Sequence, residues 1–471
     1  MSYERKVIDT AEIKRQEEIC RAIAERNARE GVTRLAMVDT YGCQQNEADS
    51  EKLRGYLAEM GCGFTEDEFE ADIIIVNTCA VREHAEMRVL GNVGALTHSK
   101  KAKPGQIVAV CGCMVQQPHM AQRIKMSYPV ADLVFGPHEL WRFPELLQRA
   151  MDSRKRVFAT ERDDGSVAEG IPVRRTDGVK AWLSVMYGCN NFCTYCIVPY
   201  VRGRERSRRP EDVVAEARGL IEAGYKDITL LGQNVNSYGR DLGADTDFAE
   251  LIREIDKIPG DYLIRFMTSH PKDATEKLFK TMAESAHCAH QLHLPVQSGS
   301  DAVLRRMNRS YDREGYIRQA ELARSYMPDL VLTTDIIVGF PGESEQDFAD
   351  TLSLCELVRY DAMFTFIYSK RVGTPAAAMP DPYTREDKQR RFDALMEVSN
   401  RISGEKHREY EGRILRVLVD GETGREEYNL SSRTNGGRLV HLHGDPALVG
   451  SFKDVKITAS NTWALYGEIM D

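Results

Sequence analysis

Three cysteines, Cys189, Cys193 and Cys196, stand close together in the run Gly188-Cys-Asn-Asn-Phe-Cys-Thr-Tyr-Cys. A cubane 4Fe-4S cluster has four irons and is usually held by four thiolates. A C-x3-C-x2-C run supplies three of them and leaves one iron open to another ligand. A structural zinc site would want a fourth Cys or His at short range. The next histidine is His270, far downstream, so the spacing favours a cluster with an open iron over a zinc knuckle.

Three further cysteines are set apart by position. Cys43 lies in Asp39-Thr-Tyr-Gly-Cys-Gln-Gln-Asn, Cys79 in Asn77-Thr-Cys-Ala-Val-Arg and Cys113 in Cys111-Gly-Cys-Met-Val-Gln. Each follows the end of a short apolar run: Leu35-Ala-Met-Val-Asp, Ile73-Ile-Ile-Val-Asn and Ile107-Val-Ala-Val-Cys. Parallel strands of one sheet end on one edge. Three loops from that edge would gather three thiols that are distant in the chain. One such cysteine alone would read as a small buried hydrophobe; three in equivalent places read as a second three-thiolate site. Cys111 falls inside its run and reads as core. Cys355, on a helix face with Phe348 and Leu352, reads the same way. Cys20 reads as an incidental helix residue, and Cys62 and Cys288 lack comparable partners.

The elements that must position these thiols follow from hydrophobic periodicity. Residues 1–32 are charged and helical in pattern, with a narrow stripe of Ile13, Ile19 and Ile23, and form an N-terminal extension packed on the body. From 33 to 150 strands and helices alternate, the signature of buried parallel strands in a doubly wound α/β sheet. A polar linker, 151–179, contains Glu161-Arg-Asp-Asp-Gly and Arg174-Arg-Thr-Asp-Gly. From 180 to 405 six strands are expected, at 182–187, 228–231, 263–267, 291–296, 331–338 and 363–368, each followed by a helical pattern. Six β/α units suggest an open, partial barrel in place of the closed eight-unit form. The first strand delivers the cysteine run to the C-terminal edge, where α/β folds place their ligands. The tail, 406–471, has short strands punctuated by Gly-Glu-Thr-Gly and Asn-Gly-Gly turns and reads as a small antiparallel β-barrel.

Composition sets outer bounds. The chain has 471 residues, enough for about three domains, and its 42% apolar content supports real cores. No segment approaches the roughly 18 to 20 apolar residues of a membrane span, and the N-terminal run Met-Ser-Tyr-Glu-Arg-Lys has no hydrophobic signal core. A cytoplasmic protein without membrane contact is expected. Eleven cysteines, an odd number, argue for reduced thiols used as ligands over a disulfide framework. A net charge of -9 excludes a generically basic nucleic-acid coat, so RNA contact must come from local patches.

On these residues the chain resembles the radical S-adenosylmethionine (SAM) methylthiotransferases. The resemblance runs from about residue 33 to the end. It rests on both cysteine triads and on Asn77-Thr-Cys-Ala-Val-Arg-Glu-His-Ala-Glu, Gly232-Gln-Asn-Val-Asn-Ser-Tyr, His293-Leu-Pro-Val-Gln-Ser-Gly-Ser and Tyr368-Ser-Lys-Arg-Val-Gly-Thr-Pro. It implies a methylthiotransferase N-terminal domain with an auxiliary cluster, a radical-SAM core and a C-terminal TRAM domain. It also implies two 4Fe-4S clusters and two uses of SAM. One SAM methylates a sulfur carried on Cys43, Cys79 and Cys113. The other, chelated through its amino and carboxylate groups by the cluster of Cys189, Cys193 and Cys196, yields a deoxyadenosyl radical. An aromatic C–H is inert to acid and base at neutral pH, so radical chemistry suits an adenine C2 target. Ala80-Val81-Arg82 and the Gly-Gln-Asn-Val-Asn-Ser-Tyr run resemble the branch that modifies dimethylallyl-adenosine beside the tRNA anticodon. The N-terminal extension departs from the compact family form.

The same resemblance places Tyr195 near the SAM adenine and Gln233 and Asn234 near its amino group. Gln297 and Ser298 fall near the ribose or methionine moiety, and Ile337-Val-Gly-Phe-Pro-Gly supplies backbone contacts. Arg202, Arg204, Arg206, Arg208 and Arg209 crowd the loop after the cysteine run, with Glu205 the only acid among them. Arginine forks there suit tRNA phosphate, a SAM carboxylate or internal pairing. Expected partners are the tRNA anticodon stem-loop, a low-potential electron donor and an Fe-S or sulfur carrier, with the protein a monomer. The competing readings are a methylthiotransferase of threonylcarbamoyl-adenosine or of a ribosomal-protein aspartate, and a non-catalytic iron-sulfur RNA-binding protein.

Overall fold

A computed structural model describes residues 6–80, 83–153, 155–161, 165–243 and 246–470. Val81 and Arg82 of the branch-marking segment, and residues 162–164 of the linker, lie outside the described residues. Two compact units divide the chain. One comprises residues 1–176, 186–190 and 196–208, the other residues 177–185, 191–195 and 209–471. One division, at 176/177, falls inside the expected linker, and the cysteine loop is itself shared out between the units.

In the first unit the three expected strands, Leu35–Thr40, Ile73–Thr78 and Ile107–Gly112, are neighbours in a six-stranded parallel sheet. Gly63–Phe64, Leu133–Phe135 and Val157–Ala159 complete it. Alternate residues point to opposite faces. Ile73, Ile75, Ala109, Cys111, Leu133 and Phe135 enter one core, while Ile74, Val76, Val108, Val110 and Val134 enter the other. Helices cover both faces, which is why Ile73–Thr78 is apolar along nearly its whole length and wholly buried. The N-terminal helix, Thr10–Glu30, starts at Asp9, whose carboxylate accepts from the Ala11 N–H at 2.9 Å, and stops at Gly31 with φ +66°. Its stripe belongs to the first core. Cys20 is thus a core residue and no incidental one, and burial pushes its thiol up to about 12. Cys111 is core, as expected.

The second unit holds six parallel strands in chain order. Lys180–Ser184, Asp227–Leu231 and Leu263–Phe266 form one set, and Gln291–His293, Val331–Val338 and Ala362–Ile367 the other. A single parallel bridge, Ile264 to Cys288, runs between them. The expected first strand, 182–187, ends early. Met186–Tyr187 leave it and pair antiparallel with Arg206–Ser207 in the first unit. Gly188 makes this turn at φ +77°; a Cβ there would stand 2.0 Å from the Arg204 carbonyl oxygen, so only glycine fits. Cys355 is buried on its helix, Glu345–Val358.

The tail is a closed five-stranded barrel around Val417, Val419, Leu430, Val440, Leu442, Val455, Ile457 and Leu465. It is not purely antiparallel: Leu439–Leu442 pairs parallel with Leu465–Ile469. An odd number of strands cannot alternate in direction all the way round a closed ring, so one parallel contact is forced. The barrel is tied into its unit by charge. Arg265 donates to the carbonyls of Thr434 and Asn435 at 2.9 and 2.6 Å, Lys180 meets Asp420 at 2.6 Å, and Arg438 pairs with Asp361, both buried. No helix among the described residues is long and apolar enough to cross a membrane.

Candidate active site

Cys43, Cys79 and Cys113 follow three neighbouring parallel strands on one sheet edge. Cys43 caps the N-terminus of the helix Gln44–Glu59 and is exposed, while Cys79 and Cys113 are buried. Asn46 fastens the loops. Its amide donates to Asn77 Oδ1 at 3.1 Å and to the Thr78 carbonyl at 3.0 Å, and its oxygen accepts from the Cys43 thiol at 3.4 Å. The Cys113 N–H donates to the same Thr78 carbonyl at 2.8 Å. Gly112, at φ +95°, keeps this crossing clear, because a Cβ would lie 2.3 Å from the Thr78 oxygen.

The electrostatics favour the thiolate at Cys43 and oppose it at Cys113. A hydrogen bond with Cys79 holds the Cys43 thiol down to about 6 against burial, with help from the Arg202 charge and the amides of the helix start. Burial pushes the Cys113 thiol up, and Arg202 is the main opposing influence. Arg202 is 5% exposed. Its Nε donates to Cys113 Sγ at 2.9 Å, its Nη1 to Asp49 Oδ2 at 2.7 Å and its Nη2 to Asn46 Oδ1 at 3.5 Å. Burial works against the guanidinium charge, but Asp49, Cys113 and Cys43 outweigh it and hold the group firmly protonated. Ile197, Val201, Tyr200 and Ala80 pack around Cys113.

Among the described residues no three His, Cys, Asp or Glu side chains are gathered tightly enough for a single metal ion. A cubane places each thiolate on a different iron and so spreads its ligands more widely. Three thiols on one edge, one already acidic, with a buried cation against them, suit such a cluster and its negative charge. The fit is one of donor chemistry.

The other triad lies on a loop whose backbone is fixed on either side. The Cys189 N–H donates to the Gly203 carbonyl at 3.1 Å, and Cys189 is buried. Cys193 is buried and Cys196 half-buried. Within the second unit Phe192 takes φ +45°, and Asn308 Nδ2 reaches the carbonyls of Asn191 and Phe192 at 3.2 and 3.1 Å. Thr194 bonds Met307 and Arg306 through its N–H and hydroxyl, at 3.1 and 2.9 Å. Tyr195 packs with Val303, Met307, Phe340, Tyr368 and Ala376.

The C-terminal ends of the second unit's strands carry buried polar atoms with no partner among the described residues: Asn234 Oδ1, Asn236 Nδ2, His270 Nε2 and Gln297 Oε1. Unsatisfied buried polar atoms are rare, and their clustering on the ligand edge of an α/β fold points to a bound group. Both donors and acceptors are present, as SAM requires. Asn234 donates its amide to Asp273 at 2.7 Å, leaving its oxygen to face a ligand. Gln297 is held at φ +73° between Asp335 and Ile337 by backbone bonds of 2.9 Å. Gln233 is half-buried.

Some expected contacts are otherwise engaged. The Ser298 hydroxyl is spent on Thr351, at 3.3 Å, and on the Ser300 N–H, at 3.2 Å. The Gly339 N–H donates to Glu343, at 2.7 Å, which pairs in turn with buried Arg391 at 2.8 Å. Three of the five arginines expected on substrate phosphate point inward. Arg202 serves Asp49 and Cys113, Arg206 donates to the carbonyls of Arg202 and Arg204 at 3.0 and 2.7 Å, and Arg208 grips Glu169 with both prongs at 2.8 and 2.6 Å. Arg204 is exposed. Asn236 and His270 were missed from sequence, although a Ser-His-Pro turn just past a strand end was a usable signal.

The chain matches the radical SAM superfamily over residues 183–355, "Uncharacterized protein family UPF0004" over 35–136 and the TRAM domain over 408–470. It is 50% identical over 467 residues to the tRNA-2-methylthio-N(6)-dimethylallyladenosine synthase of Acetivibrio thermocellus, covering 98% of this chain and 97% of that one. The protein of the same name from Thermoanaerobacter sp. (strain X514) is 49% identical over 460 residues, covering 98% and 97%. Among solved structures, the radical S-adenosylmethionine methyltransferase TsrM of Kitasatospora setae superposes with a TM-score of 0.54 over 73% of this chain and 75% of its own. At 15% identity that likeness is one of fold.

Proposed function

Because this chain belongs to the tRNA-2-methylthio-N(6)-dimethylallyladenosine synthases, we infer that it converts N6-dimethylallyl-adenosine beside the tRNA anticodon to the 2-methylthio form. The observation that carries the reading is the gathering of Cys43, Cys79 and Cys113 on one sheet edge against Arg202, in a chain that also bears the C-x3-C-x2-C loop. With clusters and SAM bound, the site supplies radical chemistry at an unreactive aromatic carbon together with a transferable methylated sulfur. Cys189, Cys193 and Cys196 would hold one cluster. Cys43, Cys79 and Cys113 would hold the other, with Arg202 offsetting its charge. Asn234, Gln297 and Tyr195 would orient SAM; Ser298 would shape the turn beneath it. A low-potential electron donor and a source of sulfur are required partners, and we take the protein to act as a monomer.

Nucleoside mass spectrometry of tRNA treated with the reconstituted protein tests the substrate. The expected product is the 2-methylthio derivative of dimethylallyl-adenosine. A methylthiolated threonylcarbamoyl-adenosine, or a modified ribosomal protein, would refute the assignment.

The barrel is proposed to hold tRNA. Deleting residues 406–471 is a poor test, since it would leave Arg265 and Asp361 buried without their partners. Trp463, 69% exposed, and exposed Lys456 can be replaced without touching that contact. The variant carrying Trp463→Ala and Lys456→Glu should bind tRNA at least about tenfold more weakly, the span of one lost base stack of about 1–3 kcal/mol together with a weakened phosphate contact. SAM cleavage should not change. Unaltered tRNA affinity would place the RNA contact elsewhere.

A further inference from the structure

The strand Leu263–Phe266 runs on into Met267-Thr-Ser-His-Pro. Thr268 takes φ +70°, a left-handed conformation that a β-branched residue adopts only under constraint. Its carbonyl accepts from the Val235 N–H at 3.1 Å, and the Ser269 hydroxyl donates to Asn236 Oδ1 at 3.3 Å. The loops following two adjacent strands are thereby locked together. The result is to bury His270, which is 5% exposed.

His270 caps the turn Pro271–Asp273: its Nδ1 accepts from the Lys272 N–H at 3.3 Å. A backbone N–H can only donate, so Nδ1 carries the lone pair and Nε2 carries the proton. That Nε2–H is buried and has no hydrogen-bond partner among the described residues. Leaving such a donor unmet is unfavourable, and Asn236 Nδ2, from the loop locked to this one, is a second donor without a partner among the described residues.

The surroundings are positive. Burial first, then Arg309, Lys272 and Arg240, press the imidazole pKa down to about 2, so the ring is a neutral donor throughout the physiological range. Arg240 and Lys272 lean on Asp273 at 2.6 and 3.8 Å. The Tyr311 ring meets the imidazole edge-on at 5.7 Å. Arg309 lies over both Tyr311, at 5.7 Å, and Tyr195, at 5.9 Å. The chain His270, Tyr311, Arg309, Tyr195 thus runs to the residue that precedes Cys196.

A buried, neutral donor among cationic side chains selects an anionic group that only accepts. Of the groups SAM presents, the ribose hydroxyls both donate and accept, and the amino group donates. The carboxylate alone is anionic and acceptor-only, with lone pairs to spare when one oxygen is engaged elsewhere. We propose that His270, through its Nε2–H, binds the methionyl carboxylate of SAM. This rests on the reading of the second unit as the SAM site.

The test is equilibrium binding to the reconstituted, anaerobic protein of two ligands, S-adenosylhomocysteine, which has the carboxylate, and 5′-methylthioadenosine, which does not. His270→Ala should weaken the first by roughly ten- to hundredfold, the range of a hydrogen bond to a charged group, and leave the second unchanged. Asparagine is a good N-cap. His270→Asn therefore keeps the bond to Lys272 but lacks the reach of Nε2, and should lose S-adenosylhomocysteine as His270→Ala does. Wild-type preference for S-adenosylhomocysteine should be flat from about pH 6 to 8, since a neutral donor does not titrate there. Equal losses for both ligands, no loss, or full recovery in His270→Asn would overturn the proposal. If the wild-type protein bound neither ligand, the SAM reading itself would fall.

Discussion

Replacing Cys43, Cys79 and Cys113 together with alanine should halve the iron, from about eight to about four per chain, and abolish methylthiolation while leaving SAM cleavage to 5′-deoxyadenosine intact. The division follows from which elements hold each triad. Cys43, Cys79 and Cys113 belong to one sheet edge, fixed by Asn46 and by backbone bonds that the substitutions do not touch. Alanine fills nearly the same space as a buried thiol, so the sheet should stand. Arg202 keeps Asp49 as its counter-ion. The C-x3-C-x2-C loop is braced separately, by Gly203 on one side and by Arg306, Met307 and Asn308 on the other. Anaerobic iron and sulfide analysis with electron paramagnetic resonance reads the outcome. About four irons in both proteins would remove the first triad from the ligand set and leave a simpler radical-SAM enzyme. Complete loss of iron from the variant would show that the two sites are not independent.

The parts legible in the sequence were those written in short-range pattern. Ile73–Thr78 announced a strand buried on both faces because both of its faces are apolar. Once three such strands were parallel, the cysteines behind them had to share an edge. The parts that were not legible depend on partners distant in the chain. Leu133–Phe135 and Gly63–Phe64 are too short to show a period. The arginine run 202–209 has the composition of a solvated basic patch. Arg202 is buried because Asp49 and Cys113 come to it from another part of the fold, and Arg208 because Glu169 does. The early end of the first barrel strand follows from a close approach of Gly188 to Arg204, which no local pattern records. Cys20 seemed incidental because a narrow apolar stripe does not reveal that the helix lies over a core.

Replacing Arg202 with methionine should cost the first unit about 3–5 kcal/mol, because it removes one partner of a buried ion pair and strands the other. Asp49, itself buried, would lose its 2.7 Å bond to Nη1 and keep only its contact with Gln45 at 3.2 Å among those described. Adding Asp49→Asn should return much of that stability, since the leftover group is then neutral. It should not return the cluster. Cys113 would still lack the cation that opposes the effect of burial on its thiol, and ligation requires the thiolate. The two readouts should therefore part company: thermal unfolding of the metal-free protein recovers in the double variant, while iron retention against a chelator stays low in both. Arg202→Lys divides the roles in another way, keeping charge for Asp49 but losing the fork whose Nε reaches Cys113. Wild-type iron retention in the double variant would make Arg202 a purely structural ion-pair residue. Low retention in a stable protein would place it among the groups that hold and tune the cluster, as hydrogen bonds to ligand sulfur do elsewhere.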